Sequence, residues 1–104
     1  MKHIDTTMSA LADPTRRRVV ELLRERPRRA GELAARAHTS APAMSRHLRV
    51  LRTSGLVEAE LSEDDARARV YRLRAERLRG LHEWLDSFWG EQLGAFKAHV
   101  ERER

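Results

Sequence analysis

The chain contains no cysteine. That absence excludes disulfides and thiolate metal sites, and it fits a reducing compartment such as the cytoplasm. No apolar run approaches the roughly 20 residues that a helix needs to cross a bilayer. The opening MKHIDTTMSAL lacks the apolar stretch of a secretory signal. The expectation is a cytoplasmic protein with no membrane partner. Aromatic residues make up 5% of the 104 positions, against 40% hydrophobic in all, so the core must be mostly Leu, Val and Ala. There is no glycine-rich phosphate loop, and no Ser–His pair has a spacing that recommends catalysis. An enzyme is not expected, and no cofactor is implied.

Acidic residues are scarce in one part of the chain only. Between Pro14 and Thr53 eleven arginines face three glutamates, while the segments on either side are near balance or acidic. The formal net charge of +5 is therefore carried by the middle of the chain. A basic block of this kind points to one region that meets a polyanion. The length suits a single domain over residues 1–104.

The apolar spacing predicts a short first helix over about 6–11, with Ile4, Met8 and Leu11 on one side. Asp13-Pro14 starts a second, because Asp accepts from free amides at a helix start and Pro loses nothing there by lacking an N–H. Val19, Val20, Leu22 and Leu23 supply its inner face, and Pro27 stops it. A third helix covers about 30–36 and buries Leu33, Ala34 and Ala37. His38-Thr39 is a turn. Ser40 caps a fourth helix, with Pro42 in its first turn, that runs to about Thr53 and ends at Ser54-Gly55. The period then changes to alternation over Leu56–Leu61 and Arg67–Leu73, which predicts an antiparallel β-hairpin with a polar loop. A long last helix begins near Ala75 and carries an apolar stripe from Leu78 to Val100.

The fold expected is mainly α with a small β-hairpin, in the order α-α-α-α-β-β-α. Helices three and four form a helix-turn-helix, and the hairpin forms a wing. A DNA-reading helix needs an apolar face for its own domain and a polar face for the major groove. In "SAPAMSRHLRVL", Met44, Leu48 and Leu51 fall within about 60° of one another. Pro42, Arg46 and Arg49 point away from them. Ser45 and Arg52 lie on one flank, Ala43 and His47 on the other. Arg is the commonest bidentate reader of guanine, Ser bonds a base or a phosphate, and small residues such as Ala41 and Ala43 permit close approach. Thr39 and Ser40 join the free amides of the first turn as phosphate ligands. On the wing, Arg67 and Arg69 are within reach of the minor groove or phosphates. Glu63, Asp64 and Asp65 at the same tip would be repelled by DNA, so an ion-paired solvent loop stands as an equal alternative.

"LADPTRRRVVELL" (11–23), "GELAARAHTSAPAMSRHLRVLRTSGLVEAE" (31–60) and "RVYRL" (69–73) together resemble the ArsR/SmtB family of bacterial winged-helix repressors. The resemblance covers nearly the whole chain. It implies a transcriptional repressor that binds double-stranded DNA as a homodimer, on an operator with dyad symmetry. It also implies that the first and last helices form the dimer interface. Ile4, Met8 and Leu11, with Leu81, Leu85, Phe88, Trp89, Gln92 and Phe96, fit that role.

Many members of the family release DNA when a metal binds. The positions matching one Cys-x-Cys site hold Arg29 and Gly31 here. Those matching a second site hold Asp86, Phe88, His99 and Arg102, so two of four ligands remain. Two such ligands do not make a tight tetrahedral zinc site. The sequence resembles the branch without metal ligands, and the inducer, a small molecule or another signal, is unidentified. Two alternatives stand beside this reading. One is a metal-responsive repressor of the same family; the other is a winged-helix module that binds protein through its long last helix.

Overall fold

A computed structural model of the protein describes residues 2–65, 67–90 and 99–102. Its elements are α1 (Lys2–Leu11), α2 (Pro14–Glu25), β1 (Arg28–Arg29), α3 (Ala30–Arg36), α4 (Ala41–Thr53), β2 (Val57–Leu61), β3 (Arg69–Leu73) and α5 (Glu76–Asp86). The expected capping residues act as such. Asp13 accepts from the Arg16 amide at 3.1 Å ahead of Pro14, and Ser40 accepts from the Ala43 amide at 3.2 Å.

Helices α2, α3 and α4 pack with the sheet around a core of Val19, Leu22, Leu23, Leu33, Ala34, Met44, Leu48, Leu51, Leu56 and Val57. Tyr71 and Leu73 of β3 close it from the sheet side. Among the described residues no aromatic ring is fully buried in the core, in keeping with the composition.

Three features depart from the sequence-based expectation. The sheet has three antiparallel strands in the order β1-β3-β2, not two. Arg28 and Arg29 pair with Tyr71 and Val70 along the far edge of β3. Helix α1 begins at Lys2 rather than near Thr6, because it packs against α5. Its innermost residues are Thr7 and Ala10, and the Thr7 hydroxyl is satisfied by donating to the His3 carbonyl at 2.6 Å.

The third departure is at the last helix, where the regular α-helix stops at Asp86. Ser87, Phe88 and Trp89 form a turn with amide bonds three residues back, to Trp84, Leu85 and Asp86 at 3.3, 3.1 and 3.4 Å. The Ser87 hydroxyl donates to the Trp84 carbonyl at 2.6 Å, competing with the backbone for that acceptor. Gly90 and residues 99–102 are helical again. The expected stripe at Gln92, Leu93 and Phe96 lies outside the described residues. Among the described residues no helix is long and apolar enough to cross a membrane.

Candidate nucleic-acid interface

The turn between α3 and α4 sets the direction of the presented helix. His38 has φ 54°, in the left-handed region. The His38 amide donates to the Ala35 carbonyl at 3.3 Å and the Thr39 amide to the Ala34 carbonyl at 3.0 Å. This is a Schellman closure with histidine in the place that glycine usually takes. Ser40 then caps α4 one residue on, so no slack chain separates the two helices. The far end of α4 closes in the same way. Gly55 has φ 81°, its amide reaches Arg52 and that of Leu56 reaches Leu51, at 3.0 and 3.1 Å. Leu51 and Leu56 are both fully buried, supplying the apolar contact that accompanies this motif. A side chain at position 55 would also meet the Arg77 guanidinium at 2.7 Å.

Met44, Leu48 and Leu51 are buried as expected, and Ala41, Pro42, Ser45, Arg46, Arg49, Arg52 and Thr53 are exposed. Thr39 and Ala43 are half-buried beside the helix start. Arg46, Arg49 and Arg52 follow one another at three-residue steps and form a single ridge. None of the three has a hydrogen-bond or ion-pair partner among the described residues.

Other arginines of the basic block are engaged. Arg16 donates to the carbonyls of Ala10 and Ser9 at 2.7 and 3.2 Å, and Arg17 to that of Leu11 at 2.8 Å. Both therefore satisfy the free end of α1. Glu32 accepts from Arg26 at 2.7 Å, from Arg36 at 3.2 Å and from Arg28. The Arg28 bond above all holds the Glu32 carboxyl below the usual carboxylate range. Arg28 is 4% exposed. It also donates to the Leu22 carbonyl at 3.0 Å and to Glu25 at 2.6 Å. Charge counting along the sequence could not separate these structural arginines from the free ridge.

On the wing, Arg67 and Arg69 are exposed. Arg52 and Arg69 line one groove between α4 and the wing, with Ala59, Glu60 and Leu61. An adjoining hollow is lined by Arg49, Arg52, Thr53 and Arg74. Arg74, which the sequence did not single out, therefore belongs to the same surface. It is held by Glu58 and Glu76 at 3.6 Å each. Across the strands Arg72 pairs with Glu58 and Glu60 at 3.2 and 3.1 Å. Those bonds, Glu60 first, hold its guanidinium more firmly in the charged form. Asp65 at the tip accepts from the Arg67 amide at 3.0 Å. The acidic tip is therefore partly spent on its own loop, and the Arg67 side chain is left free of it.

His47 is placed differently from the other flank residues. It is only 20% exposed and turns toward the start of α2. Its Nδ1 lies 3.5 Å from an Arg16 guanidinium nitrogen and 4.0 Å from Asp13 Oδ1. The Asp13 carboxyl is held below the usual range, chiefly by the Arg16 amide.

A second surface is apolar. Ile4, Leu11 and Leu81 are half-buried where α1 meets α5. Met8 is 44% exposed, Phe88 63% and Trp89 40%, with Leu85 exposed beside them. Trp84 and Phe88 meet edge to face, with ring centres 4.8 Å apart. Gln92 and Phe96 fall outside the described residues. Among the described residues no three His, Asp or Glu side chains gather as metal ligands. The donor set that includes Asp86 and His99 has Phe88 and Arg102 at its other positions, which leaves two ligands where a tetrahedral zinc site takes four.

The model of a family described as bacterial regulatory protein, arsR family, matches residues 13–59, from the α2 cap into β2. The chain is 39% identical over 99 residues to the HTH-type transcriptional regulator Rv2034 of Mycobacterium tuberculosis, covering 95% of this chain and 90% of that protein. It is 29% identical over 87 residues to the transcriptional repressor SdpR of Bacillus subtilis, covering 82% and 91%. A solved structure described as a possible transcriptional regulator for arsenical resistance superposes with a TM-score of 0.67 at 40% identity, over 88% of this chain and 92% of that one.

Proposed function

The chain belongs to the ArsR family of bacterial transcriptional regulators, and we propose that it is a homodimeric repressor that reads a dyad-symmetric operator with α4. The observation that carries this reading is the ridge of Arg46, Arg49 and Arg52, unpaired among the described residues, on a helix whose opposite face is buried. An exposed guanidinium with no internal partner is available for guanine edges or phosphates. In this assignment Arg46 and Arg49 reach base edges, with Ser45 beside them. Ala41, Pro42 and Ala43 let the helix start approach the groove wall. Thr39, Ser40 and the first-turn amides take a phosphate. Arg52, Arg67 and Arg69 follow the backbone from α4 to the wing.

The apolar surface supports the homodimer. Met8, Leu85, Phe88 and Trp89 together leave an exposed apolar patch, which a second copy would cover. Residues 1–104 thus serve one domain with dimerising ends, working in the cytoplasm. The releasing signal is not a metal in this reading: zinc, arsenite and cadmium leave the complex intact.

The test is binding to DNA from upstream of the protein's own gene, at two salt concentrations and by footprint. Specific affinity should fall steeply with salt, as phosphate contacts release counterions. The footprint should show half-sites about 34–36 Å apart, or a multiple of that. Salt-independent binding, or none, contradicts the reading.

A further inference from the structure

One small cluster joins three elements that the proposed function treats separately. Arg16 lies in the first turn of α2. Its Nε and one terminal nitrogen donate to the Ala10 and Ser9 carbonyls at the end of α1, at 2.7 and 3.2 Å. Its other terminal nitrogen lies 3.5 Å from His47 Nδ1 on α4. Asp13, which caps α2, accepts from the Arg16 amide at 3.1 Å and stands 4.0 Å from the same Nδ1. A guanidinium is planar and rigid, so its three contacts cannot be adjusted independently. His47 lies one helical flank away from the free ridge. The contact with Arg16 therefore ties that flank of α4 to α2 and to the end of α1.

We propose that His47 is a positioning residue and not a reader of DNA: through Arg16 it locks the rotation of α4 against α1, and its protonation releases that lock. The inference rests on α4 being the reading helix. In the neutral ring with its proton on Nε2, Nδ1 accepts from Arg16. Protonation puts a hydrogen on Nδ1, ends the acceptance and sets two positive groups face to face. The new Nδ1 hydrogen is then directed to Asp13, whose carboxylate stands 4.0 Å from the same nitrogen. Asp13 and Arg16 are the charged groups that reach His47 from the elements packed on α4. Among the described residues no other acid or base of α1, α2, α3 or the sheet is bonded to it.

This assignment and direct DNA contact predict opposite signs. A histidine facing phosphate binds more tightly as it gains charge, so acidification would strengthen the complex. A histidine that holds Arg16 loses its hold on charging, so acidification weakens the complex.

The experiment uses the full chain and a duplex selected by the wild-type protein from a random-sequence pool. Affinity is measured from pH 7.5 to 5.5 for wild type, His47→Asn and His47→Leu. Asn places an uncharged acceptor near Nδ1, and Leu places none. Wild-type affinity should fall about fivefold on acidification, the worth of one hydrogen bond. His47→Asn should keep the affinity seen at pH 7.5 and lose most of the pH response. His47→Leu should bind about fivefold more weakly at every pH, with base preferences unchanged. Adding Arg16→Met to His47→Leu should cost no more than Arg16→Met alone. Tighter wild-type binding at low pH, or altered base preferences in His47→Leu, overturns the inference and leaves the reading of α4 standing. A wild-type protein that selects no duplex overturns both.

Discussion

Helix α4 buries Met44, Leu48 and Leu51 and exposes three arginines that have no partner among the described residues, whereas α5 buries no residue and exposes Leu85 just before Phe88 and Trp89. Both helices are amphipathic, and both follow the same apolar spacing. They differ in which face is left without a partner. On α4 the core is complete and the surplus is charge, which is stable in water and adds nothing to folding. On α5 the surplus is apolar area, which costs about 25 cal/mol per Å² while it remains wet. The first surplus suits a transient polyanion and the second a permanent apolar partner. Amphipathic pattern alone does not distinguish the two.

The comparison breaks most visibly at the apolar end. Phe88→Glu should dissociate the dimer. Two-fold symmetry removes two phenylalanines from the interface, at about 1.5–3 kcal/mol each, so dimerisation should weaken more than about hundredfold. Since Phe88 is 63% exposed in the single chain, the fold should survive. Sedimentation would report a folded monomer, and an unchanged dimer mass would refute this interface.

The next effect separates the two kinds of arginine. Arg28→Met strands the Leu22 carbonyl and removes a bond from Glu25 and from Glu32. It should cost about 2–3 kcal/mol of stability, since both acids keep some access to water. Arg46→Ala should change stability by no more than about 0.5 kcal/mol, yet remove about 1–3 kcal/mol of base discrimination. Denaturant unfolding beside binding to matched and mismatched duplexes would read both. Equal losses of stability would erase the distinction between structural and free arginines.

Smaller effects sharpen the same picture. His38→Gly should stabilise the protein by about 0.5–1 kcal/mol, by relieving a left-handed histidine in the turn before α4. A fall in melting temperature would mean that the histidine side chain does more than occupy the turn. The carboxyls of Glu32 and Asp13 titrate lower in the folded chain than in the unfolded one. Their contribution to stability is therefore complete above about pH 4.5 and is lost as the pH falls through their folded values. Acid unfolding of Glu32→Gln should show a weaker dependence in that range than wild type.

Much of the fold was legible because its signals are local. Asp13-Pro14, Ser40 with Pro42, and Ser54-Gly55 mark helix ends by the hydrogen bonds they make or the angles they tolerate, and all three behave as read. The alternation in β2 and β3 was equally local. What stayed hidden depends on distant neighbours. Strand β1 is two residues long, too short for any period, and exists because the edge of β3 was open to it. Arg28 looked like one more cation, and only the approach of Leu22, Glu25 and Glu32 makes it a buried hub. The helical wheel put His47 on a flank, and the position of α2 decides which way a flank residue turns. Helix α1 carries no capping signal at its start, so its extension to Lys2 followed from α5 and not from its own residues.

The central claim is that Arg46 and Arg49 of the α4 ridge read bases, and a direct measurement is available. Wild type, Arg46→Ala and Arg49→Ala can each be titrated against the selected duplex and against a shuffled duplex of equal length and composition, at one salt concentration. The account predicts that the ratio of the two affinities collapses in the variants while their affinity for the shuffled duplex changes little. Equal losses on both duplexes would make the ridge a phosphate clamp and contradict the claim.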